Sequence, residues 1–545
     1  MNKVAQYLQE HVLGEVVSSA DVRKHFSTDG SVLKLSPALV MYPRNESDVR
    51  KAARFTWQLA ERGRILPITP RGSGTDQSGG AIGNGVILVF PAHMNRILEL
   101  DSKGGTVTVE PGTNYGKLQQ TLETHERFLP PYPASIEYTT IGGAIANNTS
   151  GEKSVKYGDT RTYTKSLRVV LANGEVIKTE RLNKRELSKK LGLSTFEGEI
   201  YRAVDTLLEE HHELVQNSKL SVTKNVAGYD VFNVRQKDGS FDLTPLFVGS
   251  QGTLGIITEA TLEVEPYNPL TTLVTAYFGD LKNACDAVQE LRKLKDMPSI
   301  IEMVDENLLN FVSQQNPSHL KNIVEEPLPK VVLFIEFDNP GERSQKRAAK
   351  KATKLLERYG ARYTVEADMR EKDKFRKVRQ SSSVIMAHTE GNSKAVPFIE
   401  DGIVPVDKLE DYIKGIYELF DKHHIRIAMW GHAGDANLHL QPSLDLSQLG
   451  DRQKLFKLME EYYALVIGLG GSISGEHGEG RIKGPYLEQL YGSDTYNLFI
   501  KLKQIFDPYN TLNPGVKVGV SLDEVKALLR QEYDMGYLHQ HLPRS

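Results

Sequence analysis

The chain of 545 residues contains a single cysteine. One thiol excludes an internal disulfide and also a thiolate-held iron–sulfur cluster, which takes about four cysteines. Electrons leaving this chain one at a time through iron would therefore need another protein. Cys285 itself lies in LKNACDAVQELRKL, where the helical repeat of apolar residues gives it a packing role. Long hydrophobic runs are missing too: Val86 to Phe90 is a typical apolar stretch, far short of the ~18 to 20 residues of a bilayer-spanning helix. There is no large excess of either charge, with a formal net charge of -3 and a pI near 6.6. Binding to nucleic acid calls for a concentrated basic surface, so no such partner is expected. The start, MNKVAQYLQEHVLGEV, reads as an amphipathic helix without an apolar signal core. The expected location is cytoplasmic, with a peripheral position at the inner face of the membrane left open.

Hydrophobic residues at 39% and charged residues at 25% fit a soluble globular protein. The length exceeds the roughly 250 to 300 residues at which one core stops growing, so more than one domain is expected. Up to about Glu265, strand-like runs (Val40–Tyr42, Ile65–Thr69, Val86–Phe90, Thr106–Glu110, Leu167–Leu171, Gly255–Val264) alternate irregularly with helical segments such as Glu46–Arg62. That is an α+β pattern rather than a doubly wound sheet. Near Pro266 it changes to two strand–helix–strand rounds, Leu273–Val304 and Val331–Ala367, which predict a second sheet covered by helices. Ser313–Lys330 reads as a surface loop and Asn183–Leu191 as a charged insertion.

Glycine is plentiful, and its clustering is informative. PRGSGTDQSGG, Pro70–Gly80, directly follows a strand. Closely spaced glycines let successive backbone N–H groups turn toward one point, which suits a pyrophosphate without requiring a lysine. This is no Rossmann fingerprint, because position 77 lacks the third glycine, and no Walker A sequence occurs. Alone the loop could be a turn. TTIGGAIANNTSGEKSVKYGDTR (Thr139–Arg161) and FVGSQGTLGIITEATLEV (Phe247–Val264) add more small donors than turn-making requires.

These segments, with PPYPASIEYTTIGGAIANN and FVGSQGTLGIITEATLEVEP, resemble the FAD-binding domain of the vanillyl-alcohol oxidase and p-cresol methylhydroxylase superfamily. The likeness runs on through the C-terminal half, into the D-lactate, glycolate and D-2-hydroxyglutarate dehydrogenase branch. It implies a two-part FAD-binding domain of the p-cresol methylhydroxylase type over 1–268. An α+β cap domain with an antiparallel sheet, binding substrate and metal, would cover 269–490, and a C-terminal segment, 491–545, would return to the FAD domain. The resemblance further implies that Arg71, Gly72, Ser73, Gly74, Thr75, Asp76 and Gln77 wrap the FAD pyrophosphate. Gly142, Gly143, Asn147 and Thr149 would line the flavin, and Gly252, Gly255 and Ile257 would support the adenine side. In IFDPYNTLNPGVKV, Asn513 could approach the isoalloxazine, or it and its neighbours could be turn formers only. Several relatives attach flavin covalently through a histidine in the first loop; Ser73, Gly74 and Thr75 stand there and imply non-covalent FAD. Tyr132 departs from the acidic residue that relatives often carry.

IRIAMWGHAGDANLHLQP, Ile425–Pro442, reads as a strand over Ile425–Trp430, a turn over Gly431–Ala436 and a returning strand over Asn437–Gln441. Asn437, His439 and Gln441 then share one face, and His432 at the turn can approach His439. Two neutral imidazoles suit zinc, manganese or iron, and could equally be structural. In SISGEHGEGRIKGPYL, Ser472–Leu487, a short strand is expected to deliver Glu476 and His477 into a glycine-rich bend. The pattern GHxGDxNLH followed by GEHGxG resembles the metal-containing D-2-hydroxy acid dehydrogenases. That resemblance implies His432, His439 and Glu476 as ligands of a divalent metal, zinc or manganese, and His477 as general base. Arg379, in KFRKVRQSSS, stands where relatives place an arginine that clamps the substrate carboxylate; a solvated helix charge is the alternative. Where hydroxyglutarate-oxidising relatives can carry a lysine, this chain has Ile399 and Glu400, which implies a substrate with one carboxylate.

The expected activity is oxidation of a D-lactate-like D-2-hydroxy acid to the 2-oxo acid. The carboxylate would rest on Arg379 and the hydroxyl on the metal, His477 would take the hydroxyl proton, and the α-hydrogen would pass as hydride to flavin N5. The electron acceptor would be a separate iron–sulfur protein, a quinone or a cytochrome rather than NAD, and an oligomer is left open. Two other readings stand beside this one. The alkyl-dihydroxyacetone-phosphate synthases use flavin without redox, but carry adjacent histidines where this chain has GEHGEG. A flavin electron-transfer subunit could hold its metal structurally.

Overall fold

The structure, a computed structural model, describes residues 3–315, 320, 323–324, 327–380, 389–390 and 393–531. Two small sheets form the first half of the chain. In the first, the strands run in the order Glu15–Val17, Leu39–Tyr42, Val86–Val89, Ile68–Arg71, and the last three are mutually parallel. Helix Glu46–Glu61 connects two of them. Asn45 caps it by accepting from the Asp48 N–H, and Val49, Ala52 and Ala53 face the core. The loop Pro70–Gly80 therefore leaves the carboxyl end of a parallel strand, the usual place for a ligand in such sheets.

The second sheet is antiparallel, in the order Ile97–Asp101, Thr106–Val109, Ile256–Glu263, Thr164–Val170, Val176–Thr179. The second and third glycine loops open onto its central strands. Thr140 caps the short helix Ile141–Asn147, and Asn148 ends it in the left-handed conformation that asparagine tolerates.

An eight-stranded antiparallel sheet dominates the second half. Its order is Arg362–Glu366, Thr272–Phe278, Val331–Phe337, Ile300–Asp305, Ile427–His432, Asn437–Leu444, Ser393–Ala395, Thr389–Glu390. Helices Leu281–Leu291, Glu342–Arg358, Leu409–Lys422 and Leu449–Gly468 belong to the same part of the chain. Its central strand Val331–Phe337, VVLFIEF, is buried along its whole length and apolar except for Glu336. Cys285 lies in the continuous core beneath, where burial pushes its thiol up to about 12, so packing is its role. After helix Leu487–Phe506 the chain returns to the first sheet, where Thr511 and Asn513 bond the backbone of Ile68 at 2.7 and 2.8 Å.

Four expectations change. Residues 472–477 form no strand; only an isolated bridge from Ser472 to Ile403 precedes Glu476, because glycines 471, 475 and 478 favour a bend. The expected turn at Gly431 starts later, since His432 still belongs to the strand. Lys184–Leu191 is a helix with a full capping box on Asn183. Helix Glu306–Gln315 takes the first residues of the expected loop 313–330, part of which lies outside the described residues. No described helix is long and apolar enough to cross a membrane.

Candidate active site

In the hairpin of Ile427–His432 with Asn437–Leu444, Trp430 faces His439 and His432 faces Asn437. The two imidazoles therefore share one face of the sheet, on a diagonal. Their Nε2 atoms lie 3.4 Å apart and their rings meet edge to face at 5.2 Å. Glu476 enters from the glycine-rich bend, with Oε1 at 2.9 Å from His432 Nε2 and 3.2 Å from His439 Nε2. A tetrahedral centre with bonds of about 2.0 to 2.1 Å spaces its ligand atoms about 3.3 Å apart, so these three atoms match such a centre.

Carboxylates stand behind the imidazoles. His432 Nδ1 lies 2.5 Å from Glu302 Oε1, and His439 Nδ1 lies 3.4 Å from Glu400 Oε2. Such partners fix the ring orientation of metal-binding histidines. The other oxygen of Glu476 accepts from Lys224 Nζ at 2.9 Å and from the Ser150 hydroxyl. Asp401 accepts from the backbone N–H groups of Glu476 and His477 at 3.0 and 2.9 Å and pairs with Lys483 at 2.9 Å. The cluster thus sets four carboxylates (Glu302, Glu400, Asp401, Glu476) against two ammonium groups (Lys224, Lys483). With neutral imidazoles it is two positive charges short, which suits one divalent cation.

Without a cation the field acts on the imidazoles. Burial pushes His432 down, but Glu302 and Glu476 carry it up to about 9. Burial likewise opposes the charge on His477, and Glu400 with Asp401 lifts it to about 9. Burial raises Glu476, yet His432 and Lys224 hold it well below the usual carboxylate range. Lys224 stays charged, because Glu476 and Asp435 outweigh its desolvation.

His477 stands beside the three converging groups. Its ring stacks on His439 at 5.1 Å, its Nε2 is 3.8 Å from Glu476 Oε1, and its Nδ1 is 2.7 Å from Glu400 Oε2. Glu400, Asp401, His439 and His477 also lie close enough to hold an ion. Asp401, however, is committed to Lys483 and to the backbone of the bend, so His432, His439 and Glu476 are the better ligand set.

The three glycine loops meet this cluster. Asn147 Nδ2 donates to Asp76 Oδ1 at 2.9 Å, and Gln251 Nε2 reaches Asn147 Oδ1 and Ser78 Oγ at 3.2 and 3.1 Å. Gln251 Oε1 in turn accepts from the Gly480 N–H at 2.9 Å, three residues past His477. Among the described residues, no protein acceptor takes the backbone N–H groups of Ser73 to Gln77, and the buried Nε atoms of Arg71 and Arg481 have no partner. A β-carbon on Gly74 would fall 2.2 Å from the Arg71 guanidinium. Unpaired donors around a glycine-lined turn fit an anionic group such as the FAD pyrophosphate.

The remaining expected residues divide. Gly72 and Gly142 are required by close packing, since β-carbons would lie 2.2 Å from Thr140 Oγ1 and 2.6 Å from Pro111 Cβ. Gly143 donates to Thr140 in the helix cap, and Thr149 bonds Ala144 and Thr160 beside Ser150. Gly252, with φ +72, packs on Pro70, while Gly255 immediately precedes the central strand Ile256–Glu263 and Ile257 lies within it. The Asn513 amide donates to the carbonyls of Gly80 and Gln251 at 2.8 and 2.7 Å and accepts from Thr69 at 2.9 Å, so it ties the first and third loops. Tyr132 donates to Glu152 at 2.9 Å. Arg379 belongs to helix Met369–Gln380, and its side chain lies outside the described residues. Sequence reasoning missed Glu302, Lys224, Ser150, Asp401 and Lys483, and it named Glu400 only for the lysine it replaces. Two carboxylates in the apolar strand IIEMVD were a usable signal.

Residues 37–180 match the FAD binding domain family, and residues 268–516 match the family of FAD linked oxidases, C-terminal domain. Glycolate oxidase subunit GlcD of Bacillus subtilis is 32% identical over 481 residues, covering 88% of this chain and 88% of that relative. The chain belongs to the FAD-linked oxidases of the p-cresol methylhydroxylase type. D-2-hydroxyglutarate dehydrogenase of Pantoea ananatis is 30% identical over 533 residues, which cover 95% of this chain and 51% of that protein. This FAD-linked oxidase therefore spans about half the length of the first curated relatives it matches. The solved 4-ethylphenol oxidase of Gulosibacter chungangensis shares the fold with a TM-score of 0.65 at 15% identity, covering 95% of this chain and 97% of that one.

Proposed function

We propose that this FAD-linked oxidase is a dehydrogenase of D-2-hydroxy acids, D-lactate-like, that yields the 2-oxo acid and passes its electrons to an acceptor other than NAD. The observation that carries the reading is the convergence of His432, His439 and Glu476 next to the glycine loops, with His477 at their side. The proposed division of labour is FAD binding by 1–268, a cap over 269–490 holding metal and substrate, and a return by 491–545. Arg71 to Gln77 with Gly142, Gly143, Asn147 and Thr149 would hold non-covalent FAD, and the two histidines with Glu476 would hold zinc or manganese.

When bound, FAD supplies a two-electron acceptor for the α-hydrogen, and the divalent cation supplies a Lewis acid for the hydroxyl oxygen. The chain's own groups do the rest. His477 takes the hydroxyl proton at an imidazole nitrogen, which requires its neutral form, and a cation held by neighbouring Glu476 would favour that form. Glu400 steadies the imidazolium that results, as an oriented carboxylate does for a catalytic histidine. Asp401 and Lys483 fix the backbone that presents both Glu476 and His477. Arg379 is proposed to anchor the carboxylate.

The deciding experiment is anaerobic: glycolate and the D- and L-forms of lactate and 2-hydroxyglutarate are mixed with the FAD-loaded protein while flavin absorbance is followed. Bleaching by D-lactate and glycolate, weaker bleaching by D-2-hydroxyglutarate and none by the L-acids is expected. No bleaching by any hydroxy acid, with FAD and metal both present, would overturn the reading.

A further inference from the structure

The Lys224 side chain is 4% exposed, and its ammonium lies 2.9 Å from Glu476 Oε2 and 2.7 Å from Ser150 Oγ. Ser150 donates to the same Glu476 oxygen. The carboxylate is thereby divided: Oε2 receives two donors, while Oε1 alone faces His432 and His439. Burying an unpaired ammonium costs several kcal/mol, so a lysine at this position needs its carboxylate partner. A carboxylate free to turn could offer both oxygens to a cation and fill a position that a substrate hydroxyl would need, since catalytic sites of this kind keep one place open.

We propose that Lys224, aided by Ser150, is a positioning residue that holds Glu476 to a single metal-binding oxygen and so keeps a coordination place open for substrate. The proposal rests on the metal reading of His432, His439 and Glu476. Ser150 adds a second consequence, because it follows directly on the Asn147–Thr149 stretch of the second glycine loop. The metal ligand and that loop are thus held by one shared hydrogen-bonded group.

The test uses the full chain loaded with FAD and stripped of metal by a chelator. Zinc affinity is read by competition with a chromophoric chelator, and Co2+ serves as a visible probe whose absorption weakens as coordination number rises. For Lys224→Met, zinc binding is expected to tighten about tenfold, because a positive charge 2.9 Å from the ligand carboxylate is lost and its second oxygen is freed. FAD per chain should stay unchanged, and the Co2+ band should fall in intensity as Glu476 turns both oxygens to the ion. Ser150→Ala, which keeps the lysine, is expected to tighten zinc binding about fivefold and carries the test alone should the lysine variant fail to fold. Unchanged zinc affinity together with an unchanged Co2+ spectrum in the variants overturns the proposal. A wild-type chain that binds neither Zn2+ nor Co2+ overturns the metal reading first, and this proposal with it.

Discussion

Gly480 lies flush against the carbonyl of Ser78: a β-carbon on it would stand 2.1 Å from that oxygen, which also accepts from the N–H groups of Arg481 and Ile482 at 2.9 and 3.1 Å. The bend that presents Glu476 and His477 is therefore seated directly on the first glycine loop. Gly480 also has φ +50, which disfavours a side chain by about 1 to 2 kcal/mol before any clash. Gly480→Ala should lower both the thermal midpoint and the FAD bound per chain. Full FAD occupancy at an unchanged midpoint would contradict this seating.

His477→Ala should retain FAD and metal, because the ring is outside the proposed ligand set of His432, His439 and Glu476. The rate of anaerobic flavin reduction by a D-2-hydroxy acid should drop by about 100- to 10,000-fold, the usual contribution of a general base. Stopped-flow absorbance measures it, and an unaltered rate would assign the proton to another group.

Chelation should separate the two cofactors. Dialysis against a strong chelator is expected to leave the flavin spectrum intact and to abolish substrate bleaching, with recovery on adding zinc or manganese. Full activity in protein shown by elemental analysis to be metal-free would remove the cation from the reaction.

Asp338 gathers Lys156 at 2.5 Å, Tyr157 at 2.8 Å and Lys153 at 3.4 Å, all from the second glycine loop. Removing the carboxylate leaves the largely buried Lys153 with Glu336 alone. Asp338→Ala should cost about 3 kcal/mol of unfolding free energy, read by denaturant titration. A change below the error of that titration would mean the latch is slack.

Asp305 gives a pH-dependent outcome of known sign. It is buried in the strand Ile300–Asp305, where desolvation raises it to about 6 despite bonds from the Leu308 N–H and Tyr417 hydroxyl. A carboxyl whose folded pKa exceeds its unfolded value near 3.8 holds its proton more tightly when folded. Its contribution to stability therefore grows as pH falls from 6 toward 4 and is lost as pH rises through 6. Asp305→Asn should raise the thermal midpoint at pH 7.5, by about 1 to 3 kcal/mol of stability, with the advantage shrinking toward pH 5. An advantage that is the same at both pH values would place the titration elsewhere.

Much of this architecture could be read from local signals. The glycine loops are legible because a positive φ or a close approach, as at Gly74 and Gly480, leaves no other residue possible. His432 and His439 are legible because two strands and a short turn fix their separation. Glu302, Lys224 and Ser150 come from strands and loops far along the chain, and nothing in their own neighbourhoods says that they meet; Lys224 and Glu476 are 252 positions apart. The bend at 471–483 misled for the same reason: its shape follows from Asp401 and Ser78 gripping its backbone rather than from a strand pattern.

Asn513 sits 433 positions after Gly80 and 262 after Gln251, yet its amide joins both carbonyls. Synthesis must therefore run as far as residue 513 before the first and third glycine loops are joined. A shortened chain lacking that asparagine is expected to leave the Pro70–Gly80 turn untied and to load flavin poorly.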